Sequence, residues 1–159
     1  MENYANLPDW SVIPAPTDDG AARYLPGNFL PSVLLKATNG AIVDLAGFTG
    51  LTVVYAYPRT GQPGVENPPG WDLIPGARGC TPQSCVFRDH FTELKALGAD
   101  QVFGLSTQDT AYQREVVERL HLPFPLLSDE GLKLANALNL PTFQGRGNIA
   151  AETPHAYPG

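Results

Sequence analysis

The chain has 159 residues, of which 43% are hydrophobic, enough for one buried core and too few for two. Its formal net charge is −6 with only 10 Lys and Arg residues, and no basic run gives the footprint that a nucleic-acid backbone or an anionic membrane requires. The N-terminus has no basic start followed by an apolar stretch, and no run of about 18 apolar residues occurs anywhere, so the expectation is a soluble cytoplasmic protein without a signal peptide or membrane helix.

Residues 1–25 mix Pro, Asp, Gly and Asn without hydrophobic period and read as an extended arm. In "SVLLKATNGAIVDL" an Asn-Gly step between two apolar runs predicts a β-hairpin over 32–45. "LTVVYAY", residues 51–57, has the continuous β-branched and aromatic content of a strand buried on both faces, and is expected at the centre of the sheet. From 58 to 79, "PRTGQPGVENPPGWDLIPGARG" is dominated by Pro and Gly, which excludes a regular element and leaves an unusually long loop.

Phe87, Phe91 and Leu94 then recur at helical spacing, with Pro82 suited to a first turn and Gly98 to a terminator, so one helix is expected from Pro82 to Gly98. "QVFGLST" reads as a strand, and Thr110 with Gln113 forms a capping box for a helix whose apolar face is Tyr112, Val116, Val117 and Leu120. "PFPLLSD" predicts a short strand and "EGLKLANAL" a short helix, while the Gly-, Pro- and Ala-rich 144–159 gives no strand pair. This order indicates an α/β sandwich with a central, mostly parallel sheet flanked by helices, preceded by the hairpin.

The only two cysteines, Cys80 and Cys85, stand where the long loop runs into the predicted helix. In a reducing compartment a structural disulfide is improbable, which leaves a metal pair, a redox pair or plain core residues. A helix N-terminus lowers a thiol pKa through its unpaired N–H groups and dipole, and Cys80 sits where that field is strongest. Arg78 and Arg88 are nearby cations, but spacing alone brings neither to Cys80. Two helical residues five apart are rotated by about 140° and have Cα atoms roughly 8 to 9 Å apart, so these cysteines bond only if the first turn unwinds. A cycle in which Cys80 is oxidised, the helix start melts and Cys85 attacks the sulfenic acid fits that geometry. Zinc fits less well, because Cys80, Cys85 and His90 point in different directions. For Cys85 the bland alternative is a small buried hydrophobe.

"YAYP" closing a strand, "GCTPQSCVFRD", "VFGLSTQD" and "FPLLSD" together resemble the peroxiredoxins, specifically the bacterioferritin-comigratory-protein or Q-type branch, over roughly residues 26 to 143. The resemblance implies a thioredoxin-like fold and an antioxidant thiol peroxidase acting on hydrogen peroxide or alkyl hydroperoxides. Cys80 matches the family's peroxidatic cysteine and Cys85 its resolving cysteine in the atypical two-cysteine mode. Pro58 matches the proline that shields the thiolate and shapes the pocket. Thr60 becomes the family's hydroxyl donor to cysteine and peroxide if the 61–79 segment is an insertion that loops out and returns the chain to the helix start. Arg146 is the only arginine after Arg119 and so the candidate for the late arginine that polarises the peroxide. Arg88, followed by Asp89, is expected to be a structural ion-pairing group.

The resemblance calls for no metal or organic cofactor; its partners are a hydroperoxide substrate and an external dithiol reductant, thioredoxin or similar. It divides the chain into an arm (1–25), a thioredoxin-like domain (26–143) with its 61–79 loop, and an irregular tail (144–159). A non-catalytic redox sensor or partner-binding module is the alternative reading. A thioredoxin-type oxidoreductase carries Cys-x-x-Cys, which this chain lacks. Trp71 reads as an anchor for the long loop, with a lid over the peroxide pocket as the alternative. His90 and His121 stay outside the catalytic set, and Glu115, Glu118 and Arg119 read as a solvated helix face.

Overall fold

The computed structural model describes residues 10–12, 15–145 and 148–151. The Asn39-Gly40 step turns the chain as expected: Gly40 has φ 87°, Asn39 Oδ1 accepts from the Ala41 N–H at 3.0 Å, and β1 (Leu34–Ala37) pairs antiparallel with β2 (Ile42–Asp44). The chain continues through β3 (Leu51–Ala56), α1 (Cys80–Asp89), α2 (Phe91–Ala96), β4 (Ala99–Ser106), α3 (Thr110–Leu120), β5 (Leu126–Ser128) and α4 (Lys133–Ala137). It ends in a hairpin of β6 (Thr142–Gly145) and β7 (Asn148–Ala151).

The main sheet has five strands in the order β2-β1-β5-β4-β3. Strands β3, β4 and β5 are parallel and β1 runs antiparallel to both β5 and β2, so the sheet is mixed. Gly104 of β4 matters to its packing: a Cβ there would lie 2.5 Å from Leu126 Cδ2 and 2.7 Å from the Tyr55 hydroxyl oxygen, so only glycine lets that tyrosine lie across the strand. No helix among the described residues is long and apolar enough to cross a membrane.

Four expectations need correction. Strand β3 is an edge strand, with Leu51 and Val54 exposed, and not the central one; β-branched and aromatic content marks a strand but not its neighbours. The 82–98 helix is two, divided at His90, whose φ −99°, ψ 10° interrupts the helical path, and the first of them starts at Cys80. The N-cap of α3 is Asp109, whose Oδ1 accepts from the Tyr112 N–H at 2.7 Å; Gln113 is instead buried, donating to Ser106 Oγ at 3.0 Å and to the Leu127 carbonyl at 2.7 Å. Finally, 142–151 does form a strand pair despite its Gly and Ala content.

The sheet buries two separate cores. On one face Tyr55, Tyr57, Val102 and Leu126 meet Val116 and Leu120 of α3 together with Cys80, while Phe87 of α1 and Phe91 and Leu94 of α2 pack at the margin. On the other, Leu35, Val43, Phe103, Leu105 and Leu127 meet Leu134 of α4. Both follow from the period of two along β4 and β5, where Val102 and Phe103, then Leu126 and Leu127, point to opposite sides.

Candidate active site

Gly79 caps α1 in the left-handed region at φ 99°, a conformation that glycine adopts without strain, and Cys80 is the first helical residue. The thiol is buried, and its Sγ lies 3.8 Å from the Ala77 carbonyl oxygen. Two backbone N–H groups, those of Arg59 and of Cys80 itself, face the sulfur and favour its anion, but burial outweighs them and pushes the Cys80 thiol up to about 11. Burial and the two N–H groups thus act on this thiol in opposite directions, with burial the larger of these causes.

The 58–79 loop brings its two ends to one place. It leaves at Pro58 and Thr60, both buried, and returns so that the Arg59 N–H faces the Cys80 sulfur. Trp71 is the anchor rather than a lid: it is buried in a small cluster with Ala77, Ile74 and Phe143, its ring centroid 5.7 Å from that of Phe143. Arg119 Nη2 donates to the Gly61 carbonyl at 3.0 Å and ties down the loop's first residue.

Thr60 is fixed on every polar atom. Its N–H and hydroxyl both donate to Gln108 Oε1, at 3.1 and 3.2 Å, and its carbonyl accepts from Gln108 Nε2 at 3.3 Å and from the Tyr112 hydroxyl at 2.9 Å. The hydroxyl thus goes to Gln108 in this conformation. Arg59 was not anticipated: its guanidinium stands over the Tyr112 ring, 6.0 Å from the centroid, and its Nε is buried without a hydrogen-bond partner. Its place beside Pro58 was the one signal available.

Cys85 is half-buried one turn and a half along α1, against the same core as Cys80, and both cysteines are thiols with the helix intact between them. Ser84, fully buried, accepts a hydrogen bond from the Tyr55 hydroxyl at 3.1 Å, and the Tyr55 ring lies parallel to Phe87 with centroids 4.2 Å apart. The neighbouring Tyr57 is as deeply buried; its hydroxyl faces Ser106 and Gln113 without a well-formed hydrogen bond. Burial raises both phenols, so each stays protonated.

Of the remaining candidates, Arg88 is structural as expected, donating Nη1 to the Leu120 carbonyl at 2.8 Å and Nε to Asp89 at 2.9 Å. His90 pairs with Glu93 at 3.1 Å on the surface, and Arg119 pairs with Glu115 at 2.6 Å. Arg146 lies outside the described residues. The structure therefore brings the Arg59 N–H to Cys80, with Pro58 and Thr60 flanking Arg59 in sequence and Cys85 on the same helix as Cys80.

A "Peroxiredoxin Q, chloroplastic" of Oryza sativa subsp. japonica is 36% identical over 116 residues, 72% of this chain and 46% of that protein. The chain thus spans about half the length of the curated relatives it matches. Among solved structures, peroxidoxin BcpB of Mycobacterium tuberculosis superposes with TM-score 0.60 at 23% identity, covering 80% of this chain and 72% of that one. The bacterioferritin comigratory protein of Xanthomonas campestris, studied for alkyl peroxide reduction, superposes with TM-score 0.57 at 18% identity, covering 89% and 76%. These neighbours share the thioredoxin-like sandwich of helices on a mixed sheet. Residues 25–156 match the Redoxin family, and the chain belongs to it, with Q-type peroxiredoxins as its relatives.

Proposed function

We propose that the chain is a thiol-dependent peroxidase that reduces hydrogen peroxide and alkyl hydroperoxides. One observation carries this reading: a buried thiol at the first residue of a helix, with two backbone N–H groups on its sulfur and a second thiol five residues on in the same helix. The relatives named peroxiredoxin and the alkyl peroxide reduction of the Xanthomonas protein support it.

The Cys80 thiolate attacks one peroxide oxygen; the S–O bond forms as the O–O bond breaks, sulfur is oxidised to the sulfenic acid, and the departing hydroxide or alkoxide takes a proton from water. The Arg59 and Cys80 N–H groups hold the sulfur as it sheds its proton. Pro58, itself buried and next in sequence to Arg59, takes the shielding role of the proline in the peroxiredoxin motif it resembles. Cys85 then displaces hydroxide from the sulfenic sulfur, and an external dithiol, a thioredoxin-type protein, reduces the resulting disulfide. A reducing compartment such as the cytoplasm suits a cycle that starts from two thiols.

The test is stopped-flow oxidation of the reduced protein by hydrogen peroxide, followed by thiol counting and intact mass. The expected result is rapid consumption of one equivalent with loss of both thiols; Cys80→Ser abolishes it, and Cys85→Ser stops at the sulfenic acid. Reaction no faster than that of a free cysteine removes the peroxidase reading in favour of a redox sensor, the reading to which the raised Cys80 thiol lends weight.

A further inference from the structure

The cycle just proposed needs α1 in two shapes. With the helix intact, residues 80 and 85 have Cα atoms roughly 8 to 9 Å apart, beyond disulfide reach, so the turn between them must open before Cys85 attacks. Whatever holds that turn closed governs the second chemical step and not the first.

Ser84 lies inside the segment that must open, and it is one of the few fully buried polar residues among the described ones. Its hydroxyl accepts from the Tyr55 hydroxyl at 3.1 Å, a bond between residues 29 apart in sequence that ties α1 to β3. One turn on, Phe87 stacks on the same tyrosine ring, with centroids 4.2 Å apart and planes at 8°. Tyr55 is itself 4% exposed, seated over Gly104 and against the edge of Phe124. Opening the turn breaks the hydrogen bond and leaves a phenol in an apolar setting, where an unsatisfied donor is costly. Nothing in the packing demands a serine there, since an alanine fits the same space and favours the helix more.

We propose that Tyr55 is a positioning residue: acting through Ser84 and Phe87, it clasps α1 in the peroxide-reactive shape, and its release sets the rate at which Cys85 attacks the Cys80 sulfenic acid. In that step the Cys85–Cys80 S–S bond forms, the S–O bond breaks, Cys85 is oxidised as the sulfenic sulfur is reduced, and the Cys85 proton leaves with the hydroxide as water. The clasp lengthens the life of the sulfenic acid, and with it the chance that a second peroxide carries it on to the sulfinic acid. This inference rests on the peroxidase reading.

The experiment is two-phase stopped-flow kinetics of the reduced full chain with hydrogen peroxide, on the unmodified protein, Y55F, S84A and Y55F/S84A, with sulfinic acid measured by intact mass at excess peroxide. Y55F keeps the ring stack and removes only the hydrogen bond. The peroxide-dependent first phase is expected to change by less than about twofold, while the peroxide-independent second phase rises about three- to tenfold in either single variant, the range that one hydrogen bond of ordinary strength corresponds to. The double variant is expected to be no faster than S84A, because both changes remove one bond, and sulfinic acid should fall in all three. An unchanged or slower second phase in S84A overturns the clasp, as does a first phase that moves as much as the second. If Y55F does not fold, S84A alone decides. Failure of the unmodified protein to form the disulfide strikes the peroxidase reading itself, and is seen before any variant is made.

Discussion

The two faces of the sheet are built from different chemistry. Against α4 the core is pure hydrocarbon: Leu35, Ala37, Val43, Leu45, Phe103, Leu105, Leu127 and Leu134. Against α1, α2 and α3 it holds two tyrosines and a cysteine, with Thr60, Ser84 and Gln113 fully buried beside them. Of the four buried polar atoms without a hydrogen-bond partner among the described residues, Tyr57 Oη, Gln113 Oε1 and Arg59 Nε gather on that side, and Thr52 Oγ1 lies on the edge strand β3. Each such atom carries a desolvation cost that water would otherwise relieve. On the α4 side the buried carboxylate of Asp129 is handled differently: both oxygens accept backbone N–H groups, from Leu134 at 3.1 Å and Ala135 at 2.8 Å. One face keeps its buried carboxylate fully bonded, and the other gathers most of the unpartnered polar atoms.

If that contrast is right, a cavity on the α4 face lowers stability and leaves chemistry alone. Leu127 is fully buried in β5, and Leu127→Ala is expected to cost about 2 to 5 kcal/mol, the sum of lost transfer energy and the void left behind. Chemical denaturation measures this, and the rate of Cys80 oxidation per folded molecule should stay within about twofold. A parallel collapse of that rate would show that the two faces are not separable.

A second expectation uses the proton on Cys80. Its ordinary pKa of 9.0 is raised to about 11 in the folded chain by burial. Between those values the folded state binds more protons than the unfolded one, so stability falls as pH rises. The contribution is fully present below pH 9 and is lost as pH passes through about 11, up to roughly 2 to 3 kcal/mol at about 1.4 kcal/mol for each pKa unit. Urea midpoints of the unmodified protein and of Cys80→Ala across pH 8 to 11 test it, since the variant lacks this part of the slope. The same burial makes the rate of Cys80 oxidation climb with pH above neutrality. A rate that is already flat at pH 7 would show the helix start prevailing over desolvation.

Much of this was legible in the sequence, and what was not has physical reasons. Asn39-Gly40 marked its hairpin because few backbones other than a tight turn need that pair. The helix start at the cysteines and the strand-helix alternation after it were equally plain. The edge position of β3 was hidden because strand order depends on which distant segments pair, and Val53 to Tyr57 look the same at an edge as in the middle. Gln113 was read as a cap because its sequence neighbours suit one; the Leu127 carbonyl that actually receives it is visible only once β5 lies beside α3. The tail's strand pair was missed because small residues carry little β signal of their own. At the candidate site, Cys80, Cys85 and Pro58 stand out in their motif, whereas Tyr55 with Ser84 and Thr60 with Gln108 meet through contacts 29 and 48 residues apart in sequence.

The smallest effect belongs to Tyr55 near the end of β3 and Tyr57 just past it, which sharpen the contrast within the reactive face itself. Both are buried, but the Tyr55 hydroxyl has Ser84 as a partner and the Tyr57 hydroxyl has none of good geometry. Removing a buried donor that makes no bond relieves its desolvation cost and leaves the ring's packing in place. Tyr57→Phe is therefore expected to be neutral or stabilising by up to about 1 kcal/mol, seen as an unchanged or raised denaturation midpoint with an unchanged m-value. Its neighbours Ser106 and Gln113 keep their own bond at 3.0 Å and do not depend on it. A loss greater than about 1 kcal/mol would mean that the phenol is bonded to Ser106 or Gln113 in solution. The contrast assigned to the face around Cys80 would then rest on Arg59 Nε and, where Ser106 is the partner, on Gln113 Oε1.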